Sequence, residues 1–385
     1  MSVPNNFPIS KLAEIETSIF ATIGKLVREK GAINLAQGFP DFSSDPSLID
    51  LVSKYMHQGL NQYSPMEGAL VLREKIAHKT KQIYNSYYNP DSEITITAGA
   101  TEAVYTAITC LIEQGDEVII FEPSFDSYGP VVKLNHGVPV YISLNSPDFR
   151  IDWDLVKNKI TEKTKLIILN SPHNPSGSVL TPNDLESLKE IVENTKIKVL
   201  SDEVYEHIIF DGTSHLSLCE DEELKTRTFV IGSFGKTFHV TGWRMGYCMA
   251  PSELMSAFRK VHQFVTFSAA TPMQYAIAEY LDFPNHYLAL SSFFEKKRNL
   301  FLNKMKHSKF TFFPSKGTYF QLMSFSKISE LRDVDFIDWL IKDVGVGAIP
   351  LSTFYNNKKD DGIIRFCFAK EDETLTKAAE KLCQI

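Results

Sequence analysis

Between about residues 94 and 250 the chain alternates short, unbroken apolar runs with stretches whose apolar residues recur at helical spacing. The runs at 94–97, 117–122, 139–144, 165–170, 198–202, 228–233 and 244–250 are predicted strands. Leu166-Ile167-Ile168-Leu169 shows no apolar–polar alternation, as expected of a strand covered on both faces. Between two of these runs, Thr181 is placed to cap a helix, with Pro182 at its first position and Asp184 in its first turn. Leu185, Leu188, Ile191 and Val192 then form one apolar stripe. Strand, helix and strand in succession predict an α/β fold with a mainly parallel, seven-stranded sheet. After about residue 280 the pattern changes to a charged helical stretch near 284–307, followed by apolar strands at 317–322 and 363–368. This predicts a smaller α+β domain. The expected division is an N-terminal segment (1–36) packing with the small domain, a large domain (37–280) and a small C-terminal domain (281–385).

Composition narrows the functional classes. The 385 residues suffice for one large core or two lobes. The balance of 40 basic and 47 acidic residues gives a net charge of −7 without a basic block, which argues against nucleic acid as a partner. No apolar stretch approaches the roughly 20 residues of a membrane span, and the first residues lack the pattern of a secretory signal. Five cysteines without a Cys-x-x-Cys pair fit a reducing cytoplasm better than a disulfide framework or a zinc site. The ten histidines show no metal-ligand spacing, so no metal is expected.

The segment Ser233-Phe-Gly-Lys236-Thr-Phe-His-Val-Thr-Gly242-Trp-Arg244 carries the most chemistry. Gly235-Lys236-Thr237 invites a phosphate-loop reading, but the glycine needed five positions earlier is Val230 and Gly242 soon interrupts any following helix. Ser233-x-x-Lys236 matches one motif of penicillin-binding enzymes, whose companion Ser-Asp-Asn and Lys-Thr-Gly motifs do not occur. The remaining reading is a pyridoxal phosphate cradle. Lys236 would hold the aldehyde as a Schiff base and act afterwards as proton carrier; burial and the Arg244 cation would favour its neutral form. Arg244 would hold the phosphate.

Asp202 ends an apolar run, where a carboxylate needs a partner, and a protonated ring nitrogen would supply one. A cap on the next helix is the plainer role. Tyr205 and Asn174 could reach the ring oxygen; a buried structural tyrosine is the lesser alternative. Gly99-Ala100-Thr101 opens a helical run after a strand, an anion-binding arrangement that Ser233 would complete. Phe125 could cover the ring face or be plain core. These candidates all follow apolar runs, on the rim where such sheets bind ligands.

Through Asn34-Leu-Ala-Gln-Gly38, Asn61-Gln-Tyr63, Gly99-Ala-Thr101-Glu, Phe125-Asp-Ser-Tyr128, Pro172-His-Asn174-Pro, Ser201-Asp202-Glu-Val-Tyr205, the lysine segment and Ile364-Arg365-Phe, the chain resembles the class I/II, fold-type I pyridoxal-phosphate aminotransferases. Within them it is most similar to the methionine aminotransferases and the kynurenine/glutamine aminotransferase subgroup. The resemblance implies Lys236, Asp202 and Tyr205 as the catalytic set, with Ala100, Thr101, Phe125, Asn174, Ser233, Arg244 and Tyr63 around the cofactor. It implies Arg365 on the substrate α-carboxylate, with Asn174 and Gly38, because a planar guanidinium suits that bidentate task. Tyr63 would come from the other subunit of a homodimer. Ile19, Phe20, Phe267 and Phe354, with Tyr63, would line a side-chain pocket for neutral, hydrophobic or sulfur-containing amino acids. His239 departs from the small residue usual in the wider family, either as a subgroup marker or as packing. The implied reaction is ping-pong transfer of an amino group to a 2-oxo acid. A carbon–sulfur β-lyase on the same fold is the alternative, separable by pyruvate and ammonia release from cystathionine.

Overall fold

A computed structural model describes residues 11–12 and 18–385. Residues 1–10 and 13–17 of the expected N-terminal segment lie outside the described residues. The central sheet has seven strands in the spatial order 94–97, 246–249, 228–233, 198–202, 164–170, 117–122 and 138–143. Only the 246–249 strand runs antiparallel, to both of its neighbours. The others run parallel, as the alternating pattern predicts.

The apolar runs are explained by two separate cores. Val118, Ile120, Leu166, Ile168, Leu200, Phe229 and Ile231 enter one, under the helices Ala100–Thr109 and Ser252–Val265. Their neighbours Ile119, Phe121, Ile167, Leu169, Val199 and Val230 point to the opposite core. Successive strand side chains alternate faces, so two covered faces require apolar residues at every position. Each such side chain contributes about 1.5–3 kcal/mol on burial.

The helix Pro182–Val192 begins as its sequence dictates: Thr181 Oγ1 accepts from the Asp184 N–H, and the Asp184 carboxylate accepts from the Thr181 N–H at 2.7 Å. Its Leu188 and Val192 are buried. The predicted 244–250 strand is shorter, Gly246–Met249, because Arg244 adopts a left-handed conformation (φ 54°) and leaves the ladder. The predicted 317–322 strand begins only at Phe320, since Gly317 bridges to Ile209 and Thr318 turns at φ 64°. The 284–307 stretch divides at Ala289 into Asn285–Leu288 and Leu290–Met305.

Toward the C-terminus, strands Ile349–Pro350, Ile363–Cys367 and Phe320–Ser324 form an antiparallel sheet in that order. The helix Ile19–Lys30 ends at Gly31, after which Ile33–Asn34 pairs in parallel with Val346–Gly347. Chain from the two ends is thereby brought to one place. Among the described residues no helix is long and apolar enough to cross a membrane, and no group of His, Cys, Asp and Glu could hold a metal ion.

Behind the sheet, Lys79 Nζ donates to Glu206 Oε1 at 2.6 Å and to the Tyr247 hydroxyl at 2.9 Å. Tyr84 and Tyr247 donate to the same carboxylate at 2.7 and 2.8 Å. Burial alone would raise the Glu206 pKa, yet Lys79 and these donors hold it well below the carboxylate range. Removing one partner of a buried pair strands the other charge, at about 3–5 kcal/mol. Lys79→Met is therefore expected to lower stability by about that amount, read as a reduced urea midpoint at fixed protein concentration. Glu206→Gln in the same chain should restore part of it, because no uncompensated carboxylate remains.

Candidate active site

The carboxyl ends of the parallel strands converge on a cavity of about 220 Å³. Strand 228–233 delivers Ser233 at its end, and the short helix Phe234–Thr237 turns Lys236 into the cavity. Strand 198–202 ends in Asp202, with Tyr205 one turn later; strand 164–170 ends in Asn170, with Asn174 beyond. Gly99 leads from strand 94–97 into the helix beginning at Ala100 and Thr101. Phe20, Gly38, Phe125, Arg244 and Arg365 complete the expected residues that line it.

Lys236 Nζ donates to the Gly38 carbonyl at 3.3 Å and lies 5.7 Å from the ring centres of both Tyr205 and Tyr319. Burial pushes its pKa down to about 8; Arg365 and Arg244 push the same way, against Cys367 and Asp202. A lysine ordinarily locked in its charged form is thus brought near neutrality, which a nucleophilic amine requires. Asp202 shows the opposite response to burial, its carboxyl raised to about 6. The Tyr128 hydroxyl donates to Asp202 Oδ2 at 2.6 Å and restrains that rise.

Two cationic ends flank this centre. Arg244 Nη2 donates to Thr101 Oγ1 at 3.3 Å, and Nη1 to the Thr241 carbonyl at 3.1 Å. Gly99 makes room for this guanidinium: at φ 80°, a Cβ there would stand 2.6 Å from Arg244 Nη2. With the helix start at Ala100, the arrangement suits a phosphate. At the other end Arg365 is 1% exposed, with Nη1 donating to Asn174 Oδ1 at 2.7 Å and Nη2 to the Ala36 carbonyl at 3.3 Å. Its Nε has no partner. A buried unpaired donor on a cation is costly, and an incoming carboxylate would satisfy it. Gly38 must lack a side chain, since a Cβ would meet the Phe320 ring at 2.7 Å. One amine of lowered pKa, one buried carboxylate and two guanidinium ends fit a phosphorylated pyridine aldehyde together with an amino-acid carboxylate.

The remaining expected residues stand elsewhere. Phe354 lies beside the cavity, its ring centre 4.9 Å from the Arg365 guanidinium and 5.9 Å from that of Phe20. Ile19 is half-buried on the core beside Phe20 and does not line the cavity. Tyr63 and Phe267 pack edge to face at 5.5 Å on the surface, 83% and 45% exposed, and do not line it either. A single chain provides no cover for them. His239 points away from the cavity into Phe42, Phe293 and Phe294, at 5.0–6.0 Å.

Sequence reasoning assigned no role to Asn170, Tyr128, Tyr319 or Phe320. Asn170 Nδ2 donates to the Asp202 carbonyl at 2.8 Å, while its Oδ1 accepts from the Asn174 N–H at 2.8 Å. It fixes two site segments to each other. A polar residue ending an apolar run was the available signal, the same one that marked Asp202.

The family described as aminotransferase class I and II matches residues 30–382. Methionine aminotransferase of Escherichia coli is 46% identical over 379 residues, covering 98% of each chain. Kynurenine–oxoglutarate transaminase 1 of Rattus norvegicus is 32% identical, over 97% of this chain and 96% of that one. The crystal structure of YbdL from Escherichia coli, described with a methionine aminotransferase function, superposes with a TM-score of 0.97 over 98% of this chain and 100% of that one, at 46% identity. N-Succinyldiaminopimelate aminotransferase from Mycobacterium tuberculosis gives a TM-score of 0.94 at 34% identity, over 98% of this chain and 100% of that one.

The depressed lysine pKa has a direct consequence. The neutral fraction of Lys236 grows as pH rises through about 8. Acylation of the cofactor-free protein by an amine-selective reagent, mapped by peptide mass spectrometry, should show a midpoint near that pH at Lys236.

Proposed function

Because this chain belongs to the class I and II aminotransferases, and is with them a pyridoxal-phosphate-dependent transaminase, we propose that its amino donor is a neutral, hydrophobic or sulfur-containing L-amino acid, methionine foremost. The amino group passes to a 2-oxo acid. The observation that carries the substrate class is the distribution of cations in the cavity. Arg244 serves the phosphate end, Lys236 the reactive centre and Arg365 the α-carboxylate. No further basic side chain stands among the lining residues for a side-chain carboxylate. Beside Arg365 lie instead the rings of Phe320, Phe354 and Phe20, at 3.8, 4.9 and 5.4 Å from its guanidinium. Such rings favour apolar bodies and thioether sulfur. The 46% identity to a methionine aminotransferase supports the same choice.

The residues divide the work. Bound in the cavity, the coenzyme supplies an aldehyde for the amino group and a ring that accepts the electrons released with the α-proton. Thr101, Ser233, Arg244 and the Ala100 N–H hold its phosphate. Asp202, kept ionised with help from Tyr128, would face the ring nitrogen, and Asn174 and Tyr205 would face the ring oxygen. Phe125 covers a ring face. Arg365 takes the substrate carboxylate on the edge that carries its unpaired Nε, aligned by Asn174 and the Gly38 segment. Lys236 Nζ would remove the α-proton of the bound amino acid and later return a proton on the path to the 2-oxo acid. The second half-reaction uses the same residues in reverse with the acceptor oxo acid. The carbon–sulfur lyase alternative draws no support from the relatives named above, which are aminotransferases.

The functional unit in this proposal is a homodimer. Tyr63, Phe264, Val265 and Phe267 form an exposed apolar surface that a second copy would cover, placing Tyr63 at its neighbour's cofactor. The proposed division into segments 1–36, 37–280 and 281–385 draws support from the pairing of Ile33–Asn34 with Val346–Gly347. A cytoplasmic site draws support from five unpaired thiols.

The proposal is tested by kinetics across a panel of donors with one oxo-acid acceptor. Methionine and phenylalanine should exceed aspartate and glutamate in kcat/KM, with neighbouring apolar donors within about 1–3 kcal/mol of one another. A clear preference for aspartate would refute the substrate class. Arg365→Ala should raise the methionine KM about 10- to 100-fold, the loss of charge-assisted hydrogen bonds. Arg365→Lys should not restore it, because an ammonium lacks the planar fork.

A further inference from the structure

Beside the cavity, behind Gly38, stands a tyrosine that the assigned chemistry leaves without a task. Tyr319 is fully buried, and its hydroxyl donates to the Gly38 carbonyl at 2.7 Å. The same oxygen accepts from Lys236 Nζ at 3.3 Å. A carbonyl oxygen has two lone pairs, so both donors are accommodated. The rings of Tyr319 and Tyr205 stand edge to face at 5.2 Å with an interplanar angle of 87°. The lysine nitrogen lies 5.7 Å from each ring centre, within the range of cation–π attraction. Thr318 orients this tyrosine from an uncommon backbone conformation (φ 64°) for a β-branched residue. Its N–H donates to the Ile208 carbonyl at 2.8 Å and its Oγ1 accepts from the Phe320 N–H at 3.1 Å. The conformation is therefore held from both sides.

We propose that Tyr319 is a positioning residue for the reactive lysine: its hydroxyl fixes the Gly38 carbonyl, and its ring joins that of Tyr205 to form a resting place for the Lys236 ammonium.

The chemistry gives such a place a purpose. Whenever Lys236 is free and has taken a proton, an ammonium must exist, buried, beside a cavity that already holds Arg244 and Arg365. Cys367, on the strand beside Tyr319, and Asp202 also face it. Asp202 is engaged by Tyr128. A free carboxylate would trap the ammonium as an ion pair, whereas a neutral carbonyl and two ring faces hold it and release it readily. Outside the cavity, Lys370 Nζ ties the next residue of the same loop through the Phe39 carbonyl at 2.7 Å. In the core beside the cavity, Tyr319 is the donor that aims the Gly38 oxygen.

The inference rests on Lys236 being the amine that reacts. The test is accordingly split between a readout that needs no turnover and one that does. In the cofactor-free full-length protein, Tyr319→Phe removes the hydroxyl and keeps the ring. The Lys236 acylation midpoint should fall by about one pH unit, the size of one charge-assisted hydrogen bond. In the holoenzyme the same variant should lose about tenfold in kcat, matching one pH unit, with the methionine KM within about twofold. Tyr319→Leu removes the ring as well and should lower the midpoint further; it is the variant more prone to misfold, so Tyr319→Phe decides. A folded Tyr319→Phe protein with the wild-type midpoint would overturn the proposal, as would a kinetic loss confined to KM. Full turnover by Lys236→Ala would instead strike the assignment of the lysine itself, while the midpoints of the wild-type and Tyr319→Phe proteins would still be compared.

Discussion

An amine that must be buried to react, and that cannot be buried without help, governs this structure. Desolvation moves Lys236 toward its neutral form, and two guanidinium groups reinforce the move. Both cations stand at the two ends of the cavity, so in the proposed reaction one distribution of charge prepares the nucleophile and recognises two anions. Asp202 supplies opposite charge without closing on the lysine, because a tyrosine hydroxyl occupies one of its oxygens. The amine is left on a neutral carbonyl. An acidic partner at that position would have restored its ordinary basicity.

Such a balance requires fixed positions, and the fold provides them through backbone connections rather than through the cavity's own contacts. The strands ending in Asn170, Asp202 and Ser233 are successive neighbours in the parallel part of the sheet. Their ends are therefore held a strand spacing apart by ladder hydrogen bonds. Behind them the Lys79–Glu206 pair anchors the segment that carries Asp202 and Tyr205. Arg365 arrives from the other sheet, on strand Ile363–Cys367. Gly38 arrives from the N-terminal side of the chain. Movement of these parts against one another would act directly on the place where substrate is held.

Features set by near neighbours in sequence were legible. The capping box at Thr181 works over three residues, and the unbroken apolar runs report two covered faces without any knowledge of partners. The lysine and arginine of the 233–244 segment lie only eight positions apart, so their spacing was informative too. Arg244 was nonetheless read as the start of a strand, because a left-handed conformation at a non-glycine residue leaves no mark in composition. Tyr319 and Phe320 look like core aromatics; only pairing between Phe320–Ser324 and Ile363–Cys367 brings them to the cavity. Asn170 carries the same polar-end signal as Asp202, without a charge to point to a ligand. Tyr63 and Phe267 were expected in the site, and in one chain they meet each other on its surface.

Lys236 as the point of covalent attachment is the claim from which the remaining roles follow. Borohydride reduction of the holoenzyme, then proteolysis and mass spectrometry, tests it most directly. The account predicts that the coenzyme's mass is fixed on the peptide bearing Lys236, with loss of its visible absorbance. Recovery of that peptide unmodified, with the coenzyme released or attached to another lysine, would contradict it.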